Sequence, residues 1–153
     1  MKQIASFTIN HDVLKPGLYT SRIDGDVVTY DIRTAYPNSG ECLDNDELHT
    51  VEHLFATYVR NLSCSDEVVY FGPMGCRTGF YFLVRDSMTP EKVIKIVQET
   101  MGFVAGFEGE IPGAKPIECG NAADHNLAKA KKLGERMSGV LRDWTVQKLE
   151  YEK

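Results

Sequence analysis

This sequence predicts an α+β fold, a largely antiparallel β-sheet packed against a few α-helices, in a single domain spanning residues 1–153. Three observations predict it. Segments 18–23 and 27–33 are strand-like and flank Asp24-Gly25-Asp26, and Asp-Gly is a strong hairpin signal. Apolar residues recur every three or four positions from Leu48 to Leu62, the spacing of a helix with one buried face. The remaining helical segments follow the strands as a group, which favours helices set against an antiparallel sheet.

Taken in order, residues 3–9 (QIASFTI) read as a short strand, followed by the hairpin. Residues 46–61 read as a helix capped by Asp44, with Glu47 three residues on completing a capping box. Its buried stripe is Leu48, Val51, Phe55, Tyr58 and Leu62. Residues 68–71 and 79–85 read as strands around the turn GPMGCRT. In SMTPEK, Thr89 caps a helix and Pro90 takes its first position; that helix runs to about Phe107. Residues 106–116, rich in glycine and proline, form a loop. A third helix is expected from about Ala122 to Gly139, and residues 141–150 fit either a strand or a helix extension.

The bulk numbers narrow the classes. With 153 residues, 42% hydrophobic and 25% charged, the chain is long enough for one core and too balanced for disorder or a coiled coil. A net charge of −5 without a basic run argues against a nucleic-acid partner. No stretch approaches a membrane span, and Asn10, His11 and Asp12 interrupt any signal core, so a cytoplasmic protein is expected. In such a reducing compartment Cys42, Cys64, Cys76 and Cys119 count as thiols. No CxxC pair points to a zinc ribbon.

The segment HTVEH carries the first chemistry. His49 and His53 are four apart and project from one helix face, where they can share a metal ion. Glu52 lies about 60° around the axis from His49, placed to ligate or to act as an acid/base beside the metal. HxxEH is also the inverted zinc-protease pattern, which would use an acidic third ligand. Cys119, in PIECGNAADHN ahead of the expected third helix, offers a thiolate instead, and His2Cys with an open position is a catalytic arrangement. A closed structural site would take His125 or Cys64 as a fourth ligand. Cys76 sits in a glycine-rich turn that lets a ligand approach; Arg77 beside it points the other way and is not credited with activating it. Cys42 and Cys64 read as structural.

Five segments, in order, resemble the S-ribosylhomocysteine lyase (LuxS) family: ASFTINHD, YDIRTAYPN, LHTVEHLFATYVR, GPMGCRTGFYFLV and ECGNAADHNLAKAK. The resemblance implies that His49, His53 and Cys119 hold one divalent metal ion per subunit. In this family that ion is usually Fe(II), with Zn(II) or Co(II) also compatible with such ligands. It implies that Cys76 and Glu52 are the two acid/base residues, and that Ser6, His11, Arg33 and Arg60 line the substrate pocket. It further implies a homodimer with active sites at the subunit interface. The implied reaction splits S-ribosylhomocysteine into homocysteine and 4,5-dihydroxy-2,3-pentanedione, the autoinducer-2 precursor, by aldose–ketose isomerisations followed by β-elimination. Those isomerisations need an oxyanion stabiliser and bases on two faces of the sugar, which suits a Lewis-acid metal, a thiolate and a carboxylate. The chain departs from the family pattern at Tyr70, where an aspartate is usual, and at Gly72, where a serine is usual.

Overall fold

The computed structural model describes all 153 residues. Four strands and three helices are present: β1 (Gly17–Asp24), β2 (Val27–Arg33), α1 (Asn45–Arg60), β3 (Val68–Pro73), β4 (Gly79–Arg85), α2 (Pro90–Gly106) and α3 (Leu127–Leu141). The strands form one antiparallel sheet in the order β1-β2-β4-β3, so β3 is an edge and β2 lies against β4. Gly25 turns the first hairpin at φ +61°, a conformation that a side chain would strain. The expected α+β architecture is what the chain adopts.

One face of the sheet carries Leu18, Val28, Tyr30, Ile32, Phe71, Phe80, Phe82 and Val84 into a single core with the three helices. The helices bury the faces their spacing predicts. In α1, Leu48, Val51 and Phe55 are buried, with Tyr58 and Leu62 packed partly against the same core. Both halves of the capping box at Asp44 and Glu47 form, and the Thr89 side chain accepts from the Lys92 N–H at 3.3 Å. Because strand residues alternate faces, Thr29, Asp31 and Arg33 turn away from the helices, yet all three are buried.

Three expectations need correction. Residues 3–9 are not a strand. A 3-10 turn, Ala5–Phe7, takes their place, and local side chains hold it: Thr8 Oγ1 donates to Ala5 O and Gln3 Nε2 to Phe7 O. The third helix starts at Leu127 rather than Ala122, because Asn126 supplies the cap by accepting from the Lys129 N–H. Residues 141–150 are neither strand nor helix extension: the helix ends at Leu141 and a 3-10 turn, Val146–Leu149, follows. Trp144 Nε1 donates to Leu18 O at 2.8 Å and ties this segment to β1.

Candidate metal centre and thiol site

Helical spacing delivers His49 and His53 to one place, their rings 4.6 Å apart and nearly perpendicular. Cys119 comes from the loop ahead of α3, with Sγ 3.3 Å from His49 Nε2. Two ligands at ordinary Zn–N and Zn–S lengths around a tetrahedral ion lie about 3.5 Å apart, so this spacing suits a shared ion. A fourth imidazole joins them: the ligand atoms of His49, His53, Cys119 and His125 all lie within 4.8 Å of one another.

The imidazoles are set for metal by their outer nitrogens. His49 Nδ1 meets Asp124 O and His53 Nδ1 meets Pro112 O, both at 2.8 Å. A carbonyl only accepts, so both rings carry their proton on Nδ1 and present a bare Nε2 inward. Thr50 Oγ1 gives its own proton to Asp46 O, so at 3.0 Å it must accept from His125 Nδ1–H. Burial, with His49 and His53 beside it, holds His125 below the usual imidazole range. Soft sulfur and borderline nitrogen form a donor set that fits Fe(II), Zn(II) or Co(II).

His125 stacks on His49 at 3.9 Å with only 21° between the rings. A ligated ion lies close to the plane of each ring, about 2 Å beyond its nitrogen, and two such planes do not meet within that reach. His49 and His125 therefore do not share one ion as these rings are set. His125 Nε2 is also farther from the sulfur, at 4.0 Å.

Two alternatives lose ground. The cluster contains no carboxylate, whereas the protease pattern would use an acidic third ligand. Cys64 is absent from the cluster and packs against the core. Cys119 itself needs a correction: α3 begins eight residues after it, so no helix N-terminus faces its thiol. Its neighbours are imidazoles, with Sγ 3.3 Å from His49 Nε2 and 4.0 Å from His125 Nε2.

The second thiol, Cys76, sits in the turn between β3 and β4, exposed in a cleft of about 290 Å³ lined also by His11, Tyr36, Cys42 and Thr78. Arg77 holds the turn at φ +58°, and its guanidinium goes to Leu43 O. Arg33 reaches the thiol instead. Its register opposite Gly79 sets Nη1 2.7 Å from Thr78 Oγ1 and 3.9 Å from Cys76 Sγ. Burial pushes the Cys76 thiol up, but hydrogen bonds from Thr78 and the Arg33 charge outweigh it and hold the thiol below its ordinary value. Sequence reasoning placed Arg33 at the substrate and missed this role. Cys42, read as structural, is exposed in the same cleft.

The remaining expected residues are dispersed. Ser6 lines a different cleft, with Ser21, Arg22, Thr29, Tyr70 and Tyr81. Arg60 spends its guanidinium on β3, donating to Val68 O at 2.8 Å and Val69 O at 2.9 Å. Cys76 and the metal cluster open onto separate clefts that share no lining residue.

Fold and cluster define a single-domain α+β protein with a cysteine–histidine metal-binding site. The chain belongs to the S-ribosylhomocysteinase (LuxS) family, whose model matches residues 4–147. It is 45% identical to an S-ribosylhomocysteine lyase of Clostridium acetobutylicum, over 99% of both chains. A lyase of the same name from Phocaeicola vulgatus is 47% identical, over 99% of this chain and 98% of its own. One from Porphyromonas gingivalis is 46% identical over 99% of both.

Proposed function

We propose that this chain is an S-ribosylhomocysteine lyase, a carbon–sulfur lyase that releases homocysteine and 4,5-dihydroxy-2,3-pentanedione. The observation that carries the reading is end-to-end likeness, about 45% over 99% of the chain, to relatives bearing that name. The whole of residues 1–153 is read as one metal-dependent lyase domain.

His49, His53 and Cys119 would hold one divalent ion per subunit, Fe(II) in the first place. When bound, that ion supplies Lewis acidity toward oxygens of the ring-opened sugar. Cys76, its thiol held below the ordinary value by Thr78 and Arg33, takes a proton from one sugar carbon and returns it to the next. Glu52 serves the opposite face. Two such isomerisations bring the carbonyl to C3, where β-elimination can expel the homocysteine thiolate. Ser6, His11, Arg33 and Arg60 complete the pocket in this reading.

A homodimer with active sites at the subunit interface explains the dispersal of these residues. Support comes from the separate clefts of Cys76 and the cluster, and from Phe7, Ile4 and Tyr70, apolar residues exposed at 69%, 51% and 52%. A cytoplasmic setting is supported by four unpaired cysteines. No helix is long and apolar enough to cross a membrane.

The test is thiol release. Fe(II)-loaded protein mixed with S-ribosylhomocysteine should free one thiol per substrate, read with a thiol reagent. Absence of release by protein of verified metal content would sink the reading. Sedimentation would separately report a dimer or a monomer.

A further inference from the structure

Asp31 and Arg33 occupy alternate positions of β2 and so share the face turned away from the helices. Both are buried, at 0% and 2% exposure, and joined by a bond of 2.6 Å from Arg33 Nη2 to Asp31 Oδ2. The same oxygen accepts from Tyr151 Oη at 2.8 Å. Arg33 Nη1, at the other end of the guanidinium, faces Thr78 Oγ1 and Cys76 Sγ. Thr78 Oγ1 lies 3.1 Å from the sulfur. Asp31 Oδ1 and Arg33 Nε have no protein partner, so between Tyr151 and the thiol the carboxylate and guanidinium contact each other through one oxygen and one nitrogen.

We propose that Asp31 and Tyr151 are positioning residues for Cys76: the carboxylate, fixed by the Tyr151 hydroxyl, grips one edge of the Arg33 guanidinium and so aims the other at the sulfur. A planar guanidinium gripped at one edge has little freedom at the other. Tyr151 is suited to the task. Its ring stacks on Tyr19 with centroids 5.0 Å apart, and burial beside Asp31 raises its phenol well above the ordinary range, so it stays a donor. A buried pair is weak grounds for stability by itself, which makes an orienting role the more economical account of this one. The proposal rests on Cys76 as an acid/base of the lyase reaction.

Other groups facing the thiol are accounted for. His11, Tyr36, Glu41 and Cys42 line its cleft and are untouched by the variants below. Tyr81, on β4 beside Asp31, Arg33 and Cys76, is held above its ordinary value by burial and the Asp31 charge, and stays neutral. Arg77, the next residue, is turned to Leu43 O. Glu152 acts on Tyr19, behind Asp31.

The test is the rate of iodoacetamide alkylation of Cys76 in the holoenzyme against pH, resolved from the other cysteines by tandem mass spectrometry. Asp31→Asn should slow alkylation at pH 7 about tenfold, the effect of a one-unit rise in a thiol pKa, and Tyr151→Phe about threefold. Both should keep the parent alkylation rate at high pH, with kcat at pH 7 lowered in step. An unmoved midpoint in both variants would overturn the proposal. So would a lowered midpoint in Asp31→Asn, the result if Asp31 only offsets the Arg33 charge. Tyr151→Phe keeps the ring stack and decides the matter if Asp31→Asn does not fold. Lyase turnover of Cys76→Ala separates the two levels: parent-like turnover would remove the acid/base reading, while alkylation still reports whether Asp31 and Tyr151 aim Arg33.

Discussion

The two functional thiols are built in opposite ways. Cys119 meets imidazoles that one helix and one loop deliver, the outer nitrogens of His49 and His53 fixed by backbone carbonyls and that of His125 by Thr50. Cys76 meets a buried arginine that only the pairing of β2 with β4 brings near, 43 residues away in sequence. The first site gathers lone pairs toward a cation. The second sets a cation and a hydroxyl beside a sulfur and favours a free thiolate. In the proposed function, identical side chains become a ligand and a base through their neighbours alone.

The largest expected effect tests that division. Cys119→Ala should lose most of its bound metal, read by elemental analysis, and with it all measurable thiol release. Cys76→Ala should keep the metal of the parent and lose about 10²–10⁴-fold in kcat, the usual worth of a positioned proton transfer. Metal loss in Cys76→Ala would merge the two sites into one and break the comparison.

Arg33→Met comes next. It leaves Asp31 buried without its cation, which typically costs about 3–5 kcal/mol, measurable as a lower urea midpoint. The same variant removes the charge that, together with hydrogen bonds from Thr78, holds the Cys76 thiol down. The thiolate fraction grows as pH rises through the thiol's own value, and that value is depressed in the parent. Its alkylation profile should therefore move to higher pH in Arg33→Met. A profile that stays in place would mean that Thr78 alone tunes the sulfur.

On the metal side the corresponding support is Thr50, whose hydroxyl donates to Asp46 O and accepts from His125 Nδ1–H and the Asn126 N–H. Thr50→Val should weaken metal binding about 10–100-fold by freeing the loop that carries Cys119 and His125. His125→Ala, if the ring is a neighbour and not a ligand, should retain one ion per subunit. Stoichiometric loss in that variant would make His125 a ligand.

What the sequence disclosed follows the same division. HTVEH was legible because helical periodicity is local: a spacing of four fixes a common face whatever the rest of the chain does. The turn carrying Cys76 was legible from its glycines. Arg33 as the activator of Cys76 was not, because strand order β1-β2-β4-β3 is a property of the whole sheet, and Arg77, the sequence neighbour, points elsewhere. His125 at the cluster also escaped a firm assignment, since the turns between Cys119 and α3 carry no periodic signal. Residues 3–9 misled because an apolar–polar alternation resembles a strand, while Gln3 and Thr8 bind the local backbone instead.

Both departures from the family pattern, Tyr70 and Gly72, lie on edge strand β3, and neither belongs to the metal cluster. A Cβ at Gly72 would overlap the Tyr70 phenol, so the ring can lie where it does only because residue 72 has no side chain. Tyr70 is half exposed and lines the Ser6 cleft, so Gly72→Ser should push the ring aside without unfolding the strand. Its cost should be modest, about 1 kcal/mol, the centre of the range for point substitutions. A Tyr70→Ala background should remove most of that cost, giving a coupling of at least about 0.5 kcal/mol in a double-mutant cycle read by urea unfolding. KM for S-ribosylhomocysteine should shift in Gly72→Ser while metal content stays at the parent value. Strictly additive costs would show that the ring and the glycine are independent, and β3 would then have diverged at two sites for two reasons.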